Sequence, residues 1–257
     1  MMPMNIPRLR TPIVLVHGLL GFDRLVVGPV VLAEYFPGIP EALRAAGNRV
    51  LLARLSPTRG IADRAAQLKE FLDRESPQEP VHLFAHSMGG LDSRYLISRL
   101  GMAGRVLSLT TLGTPHRGSA FADWGVRRFA RLVAPLLDFV GLPYQAFRDL
   151  TTAACAEFNR QTPDAPGVRY FSVAGRFRPD WLAPQWHLPA GILEREEGPN
   201  DGVVSLASAR HGEDCAVWEG DHMTLVNWPR PWAPAHPPTD RIPDYAALVR
   251  RLADEGF

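Results

Sequence analysis

Ser87, Asp201 and His222, in that order along the chain, are the residue types that nucleophilic acyl transfer needs. A serine hydroxyl is a weak nucleophile near neutrality, so it requires a base in contact with it and a third group that fixes the base's tautomer. Ser87 is singled out by its setting. The run Val81-His82-Leu83-Phe84-Ala85-His86-Ser87-Met88-Gly89-Gly90 is apolar and strand-like and ends abruptly in a serine among small residues. A strand that turns straight into a helix strains the serine's backbone, so the side chains two before and two after it must be small, as Ala85 and Gly89 are. Glycine is usual at the first of these positions, and alanine is the smallest side chain that still carries a Cβ. A strand precedes the serine, and Leu91-Asp92-Ser93-Arg94-Tyr95-Leu96-Ile97, apolar at helical spacing, follows it. The segment reads as a nucleophile elbow, with an ordinary strand-to-helix turn as the alternative.

An elbow exposes Ser87 Oγ at the C-terminal edge of a sheet and aims the Met88 N–H, at a helix N-terminus, toward a developing oxyanion. The second donor is the Leu19 N–H, in His17-Gly18-Leu19-Leu20-Gly21-Phe22-Asp23, where the glycines let backbone approach a ligand. Each such donor is worth ~2.7–4 kcal/mol of barrier, so a pair decides whether the reaction is practical. His17 reads as a structural residue holding this loop. Asp201, in Gly198-Pro199-Asn200-Asp201-Gly202, and His222, in Glu219-Gly220-Asp221-His222-Met223, suit the acid and the base. They put the acid after the penultimate strand and the base in the loop after the last one. Asp180 and Asp221 are the alternative acids and His116 the alternative base, although a structural hydrogen bond accounts for His116. His187, His211 and His236 read as loop histidines. No cluster has metal-ligand spacing, so no metal or cofactor is expected.

These residues need a rigid frame, and the pattern supplies one. Pro12–Val16, Val50–Leu55, the elbow strand from Pro80, Arg105–Gly113, Val168–Ala174 and Asp214–Trp218 are apolar strand-like runs. Continuous apolar runs of this kind belong to strands covered on both faces. Helical patterns at Ile39–Ala46, stopped by Gly47, and at Ile61–Arg74 alternate with them, and Arg241–Leu252 closes the chain. Alternation of this kind means a mostly parallel sheet of right-handed βαβ units with helices on both faces, in one domain spanning 1–257. The alternation lapses from 119 to 160, where Val126, Phe129, Ala130, Val133, Leu136, Leu137 and Val140 share one helical face. Removing those side chains from water is worth on the order of 10 kcal/mol, so opening is costly in bulk water but not against lipid. Its place at the chemical edge of the sheet favours a lid over a fixed packing layer. Residues 176–199, with Trp181 and Trp186 among prolines, read as an irregular flap around an acyl pocket, or as a surface loop.

Composition narrows the substrate. Lys+Arg 28 against Asp+Glu 27 leaves a net charge of +1, which steers the protein toward neither nucleic acid nor an anionic membrane. No apolar run reaches the roughly 18 residues of a membrane span. The first twelve residues lack the apolar core of a secretory signal, and the expectation is a cytoplasmic protein, with a secreted mature form as the alternative. Cys155 and Cys215 read as small buried residues, with a disulfide as the alternative.

The chain resembles the bacterial triacylglycerol lipases of the α/β-hydrolase fold. The resemblance lies in His17–Asp23, the elbow at Ser87, Leu112-Gly113-Thr114-Pro115-His116-Arg117-Gly118-Ser119, Leu150-Thr151-Thr152 through Phe158-Asn159, Val168–Ser172 and Asn200-Asp201-Gly202. It implies hydrolysis of lipophilic esters, at a lipid–water interface, with Ser87 as nucleophile, Asp201 as acid, His222 as base and the Leu19 and Met88 N–H groups as oxyanion hole; a short-acyl carboxylesterase or acyltransferase on the same triad and a non-catalytic lipid-binding protein are the alternatives. It also implies that Arg64 braces the oxyanion loop. Three features depart from the family. Thr224 stands where an aspartate of the family's calcium site lies, neither cysteine sits at the place of the family's disulfide, and a secretion signal is missing.

Overall fold

Ile13 and Leu15 pack into one apolar cluster and Val14 and Val16 into another, the alternation of a strand with both faces covered. This strand, β1 (Ile13–Val16), lies inside a six-stranded sheet of a computed structural model that describes residues 6–19, 24–27, 30–128, 144–179, 184–228 and 240–257. The other strands are β4 (Val50–Leu52), β5 (Val81–His86), β6 (Val106–Leu112), β7 (Arg169–Arg176) and β8 (Asp214–Glu219), and the order is β4-β1-β5-β6-β7-β8. Every pairing in it is parallel. A separate antiparallel pair, β2 (Arg24–Val27) with β3 (Val30–Glu34), was not evident in the sequence pattern.

From β1 the chain steps outward to β4, then returns past β1 to β5 and continues the other way. Right-handed crossovers running in opposite directions place their helices on opposite faces. Helices α1 (Ile39–Ala45) and α9 (Ile242–Asp254) accordingly cover one face through Ile39, Leu43, Tyr245 and Val249, against Ile13, Leu15 and Phe84. Helices α2 (Ile61–Glu75) and α3 (Met88–Arg99) cover the other through Leu68, Leu72, Leu96 and Ile97, against Val14, Val16 and Leu83. The chain reverses direction between β1 and β5, and sites in open sheets of this kind form at such a switch point.

The expected second strand is shorter than its apolar run. It ends at Leu52, and Leu55 N–H instead donates to His17 Nε2 at 3.1 Å. Of the insertion, α4 is described over 120–128, followed by α5 (Tyr144–Asp149) and α6 (Thr152–Gln161). Residues 129–143, with Val133, Leu136, Leu137 and Val140, lie outside the described residues, as do Asp180, Trp181 and His236. The segment 176–199 is not irregular throughout: a 3₁₀ turn (Pro184–Trp186) leads into α7 (His187–Glu196). Pro189, in its first turn, is tolerated because that N–H needs no intrahelical partner, and Ala190 and Leu193 bury one face. The short helix α8 (Leu206–Ala209) precedes β8. Both cysteines are free. Cys155 is buried, which pushes its thiol up to about 12, and Cys215 is half-buried. Among the described residues no helix is long and apolar enough to cross a membrane.

Candidate active site

Ser87 sits between β5 and α3 with φ 55° and ψ −130°, outside the helical and extended regions, as an elbow demands. Its N–H donates to Leu112 C=O (2.8 Å), and its C=O accepts from Thr114 Oγ1 (2.8 Å), so both ends of the strained residue are pinned. The need for small neighbours has a concrete cause. A Cβ on Gly89 would lie 2.8 Å from His17 O and 3.0 Å from Val16 O, and one on Gly18 would lie 2.7 Å from Ser87 Cβ. The loop after β1 is thus laid directly against the elbow. Met88 is the first residue of α3, so its N–H has no intrahelical acceptor.

His17 fixes the peptide that carries the other donor. Because Nε2 accepts from Leu55 N–H, the proton resides on Nδ1, which donates to Gly18 O at 2.9 Å. That carbonyl belongs to the peptide whose N–H is Leu19's. Arg64 holds the preceding peptide, donating from Nη2 to His17 O (2.7 Å), from Nη1 to Ser56 O (2.5 Å) and from Nε to Asp92 Oδ2 (2.7 Å). The bracing of this loop by Arg64, implied by the resemblance, is present in the geometry. Arg64 and Asp92 are fully buried, and Asp92 Oδ1 meets no hydrogen-bond partner among the described residues. Desolvation, only partly offset by Arg64, pushes Asp92 up to about 7.

Asp201 and His222 are brought together. His222 Nδ1 lies 2.7 Å from Asp201 Oδ2, and the His222 N–H donates to Asp201 O (2.8 Å). Asp201 Oδ1 accepts from Val203 N (2.9 Å) and Val204 N (2.7 Å), so the carboxylate cannot turn away. A carboxylate on Nδ1 leaves the Nε2 lone pair of a neutral imidazole free to accept a proton. Trp186 packs over Gly202, whose added Cβ would be 3.0 Å from Trp186 Cε3, and Asp201 is shut off from water. The His222 ring lies 4.4 Å from that of His86, the residue before Ser87.

The two alternative candidates among the described residues, His116 and Asp221, have other hydrogen-bond partners. His116 is buried, stacked on His211 at 4.3 Å and within 3.0 Å of Thr111 Oγ1; burial, followed by its cationic neighbours, drives its pKa well below the usual imidazole range. Asp221 spends Oδ1 on the N–H groups of Met223 (3.0 Å) and Thr224 (2.9 Å), shaping the base loop. Sequence reasoning passed over Thr114, Tyr35 and Arg241. Arg241 braces the His222 loop by donating to Thr224 O (3.2 Å) and to Glu219 O. An isolated arginine beyond a proline-rich stretch carries no pattern that would mark it. Among the described residues no group of three potential ligands forms a metal site.

With this geometry in hand, similarity to known proteins becomes informative. No family model matches the chain. Triacylglycerol lipase 2 of Saccharomyces cerevisiae is 33% identical, over 85% of this chain and 81% of that protein. A triacylglycerol lipase of Vibrio cholerae is 31% identical, over 79% of this chain and 75% of that protein. Among solved structures, a Bacillus licheniformis lipase in its mature form superposes with a TM-score of 0.71 at 24% identity, covering 93% of this chain and 91% of that one. Staphylococcus hyicus lipase superposes with a TM-score of 0.71 at 18% identity, over 98% of each chain. At these identities the superpositions establish the common fold, an α/β-hydrolase-type sheet with helices on both faces.

Proposed function

The chain belongs to the triacylglycerol lipase family and is an ester-hydrolysing enzyme, and from that premise we propose a serine hydrolase that cleaves lipophilic acyl esters, acyl glycerols among them, through an acyl-enzyme. His222, held by Asp201, takes the Ser87 proton on Nε2 as Oγ attacks the ester carbonyl. The carbonyl oxygen becomes an oxyanion stabilised by the Leu19 and Met88 N–H groups. Collapse expels the alcohol, which leaves with the proton from His222. A water then loses a proton to His222, attacks the acyl-enzyme, and the carboxylic acid departs as Ser87 regains its proton. The observation that supports the reading is the buried Asp201–His222 pair, locked at 2.7 Å at the same sheet edge as a strained serine.

Residues 119–160 are proposed as the lid. Its ends are anchored to the rest of the chain, by Ser119 Oγ donating to Val203 O (2.7 Å) and by Asn159 Nδ2 donating to His116 O (2.8 Å), which suits a segment that moves between fixed points. The test is hydrolysis of p-nitrophenyl esters of increasing acyl length, with and without an emulsion, alongside labelling by a fluorophosphonate. Long-chain preference and acceleration by the emulsion are expected; cleavage of short chains alone without acceleration would make the protein a short-acyl carboxylesterase. Ser87→Ala abolishes turnover and labelling in a folded protein, and retention of even about a tenth of the activity would refute Ser87 as nucleophile.

A further inference from the structure

We propose that Tyr35 and His86 are positioning residues for this reaction, forming a buried one-way chain of hydrogen bonds that ties the oxyanion loop to the loop carrying His222. Gly18 N–H lies 3.1 Å from Tyr35 Oη, Tyr35 Oη 2.8 Å from His86 Nδ1, and His86 Nε2 3.0 Å from His222 O. The inference rests on the assignment of Ser87, His222 and Leu19 given above.

The direction of the chain follows from what each group is able to do. The His222 carbonyl only accepts, so the His86 proton is on Nε2, and Nδ1 must accept. Tyr35 therefore donates its hydroxyl proton to Nδ1 and uses a lone pair to accept from Gly18 N–H. Protonation of His86 would place a second hydrogen on Nδ1, against the Tyr35 hydroxyl, and break the chain. Burial prevents this: His86 is fully buried, and desolvation followed by the charge of His222 holds its pKa well below the usual range. Tyr35, also buried, is pushed up to about 12 and keeps its proton.

The same peptide that donates through Gly18 N–H accepts from Arg64 through His17 O, at 2.7 Å. Every donor from Arg64 to His222 thus points the same way, and aligned bonds of this kind polarise one another in a low dielectric. There is little slack, since a Cβ on Gly18 would meet Tyr35 Oη at 3.1 Å as well as Ser87 Cβ at 2.7 Å. The peptide before the Leu19 donor and the backbone of the base are therefore held to one another through two side chains rather than independently.

Tyr35→Phe keeps the ring packed edge-on against Phe36 and deletes only the hydroxyl. His86→Gln retains an amide donor for His222 O but offers no acceptor at the Nδ1 position. In folded variants, each change is expected to lower kcat about tenfold with KM unchanged, the loss typical of a buried group left unpaired. Because both cut one chain, the double variant is expected to fall about tenfold as well, not the roughly hundredfold of independent losses. Multiplying losses, or a Tyr35→Phe kcat within about twofold of wild type, would overturn the proposal. If His86→Gln does not fold, Tyr35→Phe alone decides through its kcat and KM. Fluorophosphonate labelling of the wild type separates the two levels: an unlabelled wild type removes the serine reading itself, whereas a labelled wild type with a silent Tyr35→Phe removes only the chain.

Discussion

Gly113→Ala drives a wedge into the acid–base pair. Gly113 follows β6 with φ +56°, so any side chain there adopts a left-handed backbone at about 1–2 kcal/mol. Its Cβ would stand 3.0 Å from Asp201 Oδ2 and 3.1 Å from His222 Nδ1, straddling the 2.7 Å bond between them, and 2.8 Å from Leu225 Cδ1. Leu225 is able to rotate away. Asp201 is not, because Oδ1 is committed to Val203 and Val204, and His222 is tied to Asp201 through its own N–H. The pair must open by a few tenths of an ångström. Overpacking adds about 1–3 kcal/mol to the backbone strain, for a total of about 2–5 kcal/mol of stability. Misplacement of the base is expected to lower kcat/KM about 10²-fold. Gly101→Ala is the control: φ is +72° and nothing lies within 4 Å of its added Cβ, so it carries the strain without the wedge. Urea unfolding and p-nitrophenyl ester kinetics on both variants give the answer. A folded Gly113→Ala enzyme as active as Gly101→Ala would refute the claim that this contact governs the base.

Three further outcomes follow from the buried polar groups. Arg64→Lys has one ammonium for the three acceptors Asp92, Ser56 O and His17 O, and should lose about tenfold in kcat with a lower melting temperature; an unchanged kcat contradicts the bracing role. Asp92 is raised to about 7, so between about pH 4 and 7 the folded state binds the extra proton and stability falls as pH rises, by up to about 1.4 kcal/mol per unit. Asp92→Asn should remove that component from urea midpoints measured at pH 5 and 7, and an unaltered slope would count against it. Arg241 already supplies a cation to the carbonyls of Glu219 and Thr224 on either side of His222, so EDTA is expected to leave turnover unchanged, while Arg241→Ala should lose about 1–3 kcal/mol of stability; inhibition by EDTA, restored by calcium, would show that a metal is needed as well.

The parts of the fold legible in the sequence were those that local pattern determines. Continuous apolar runs at Ile13–Val16 and Val81–His86 announce doubly covered strands, and Ala85, Gly89 and the abrupt change of period announce the elbow. Strand ends were less legible. Val50–Leu55 is apolar except at Arg54, yet the strand stops at Leu52, and Leu55 N–H is taken by a side chain from another loop. Helix α7 was obscured by Pro189 and the two tryptophans, whose composition suggests a loop even though a proline is harmless in a first turn.

The site divides the same way, and for a physical reason. A nucleophile, its acid and its base are constrained by type and by position after particular strands, so candidates for them, Ser87, Asp201 and His222, are legible in one chain, and the structure pairs the last two at 2.7 Å. The groups that hold them are constrained only by the rule that a buried polar atom must find a partner, which says nothing about where in the sequence that partner lies. His86 meets its acceptor 136 residues away and Arg64 meets two of its acceptors 8 and 47 residues away, all backbone carbonyls that any residue type supplies, while the third acceptor of Arg64, the Asp92 carboxylate, lies 28 residues away. His86 was visible as part of the elbow run but had no role there, because its role exists only once β5 is laid beside the loop after β8. Two backbone groups, Gly18 N–H and His222 C=O, set the geometry of that connection. Among the groups that hold the site, tolerance to mutation is therefore expected to be narrower at Tyr35 and His86, whose side chains make the proposed connection between those two peptides, than where backbone amides alone make the contact.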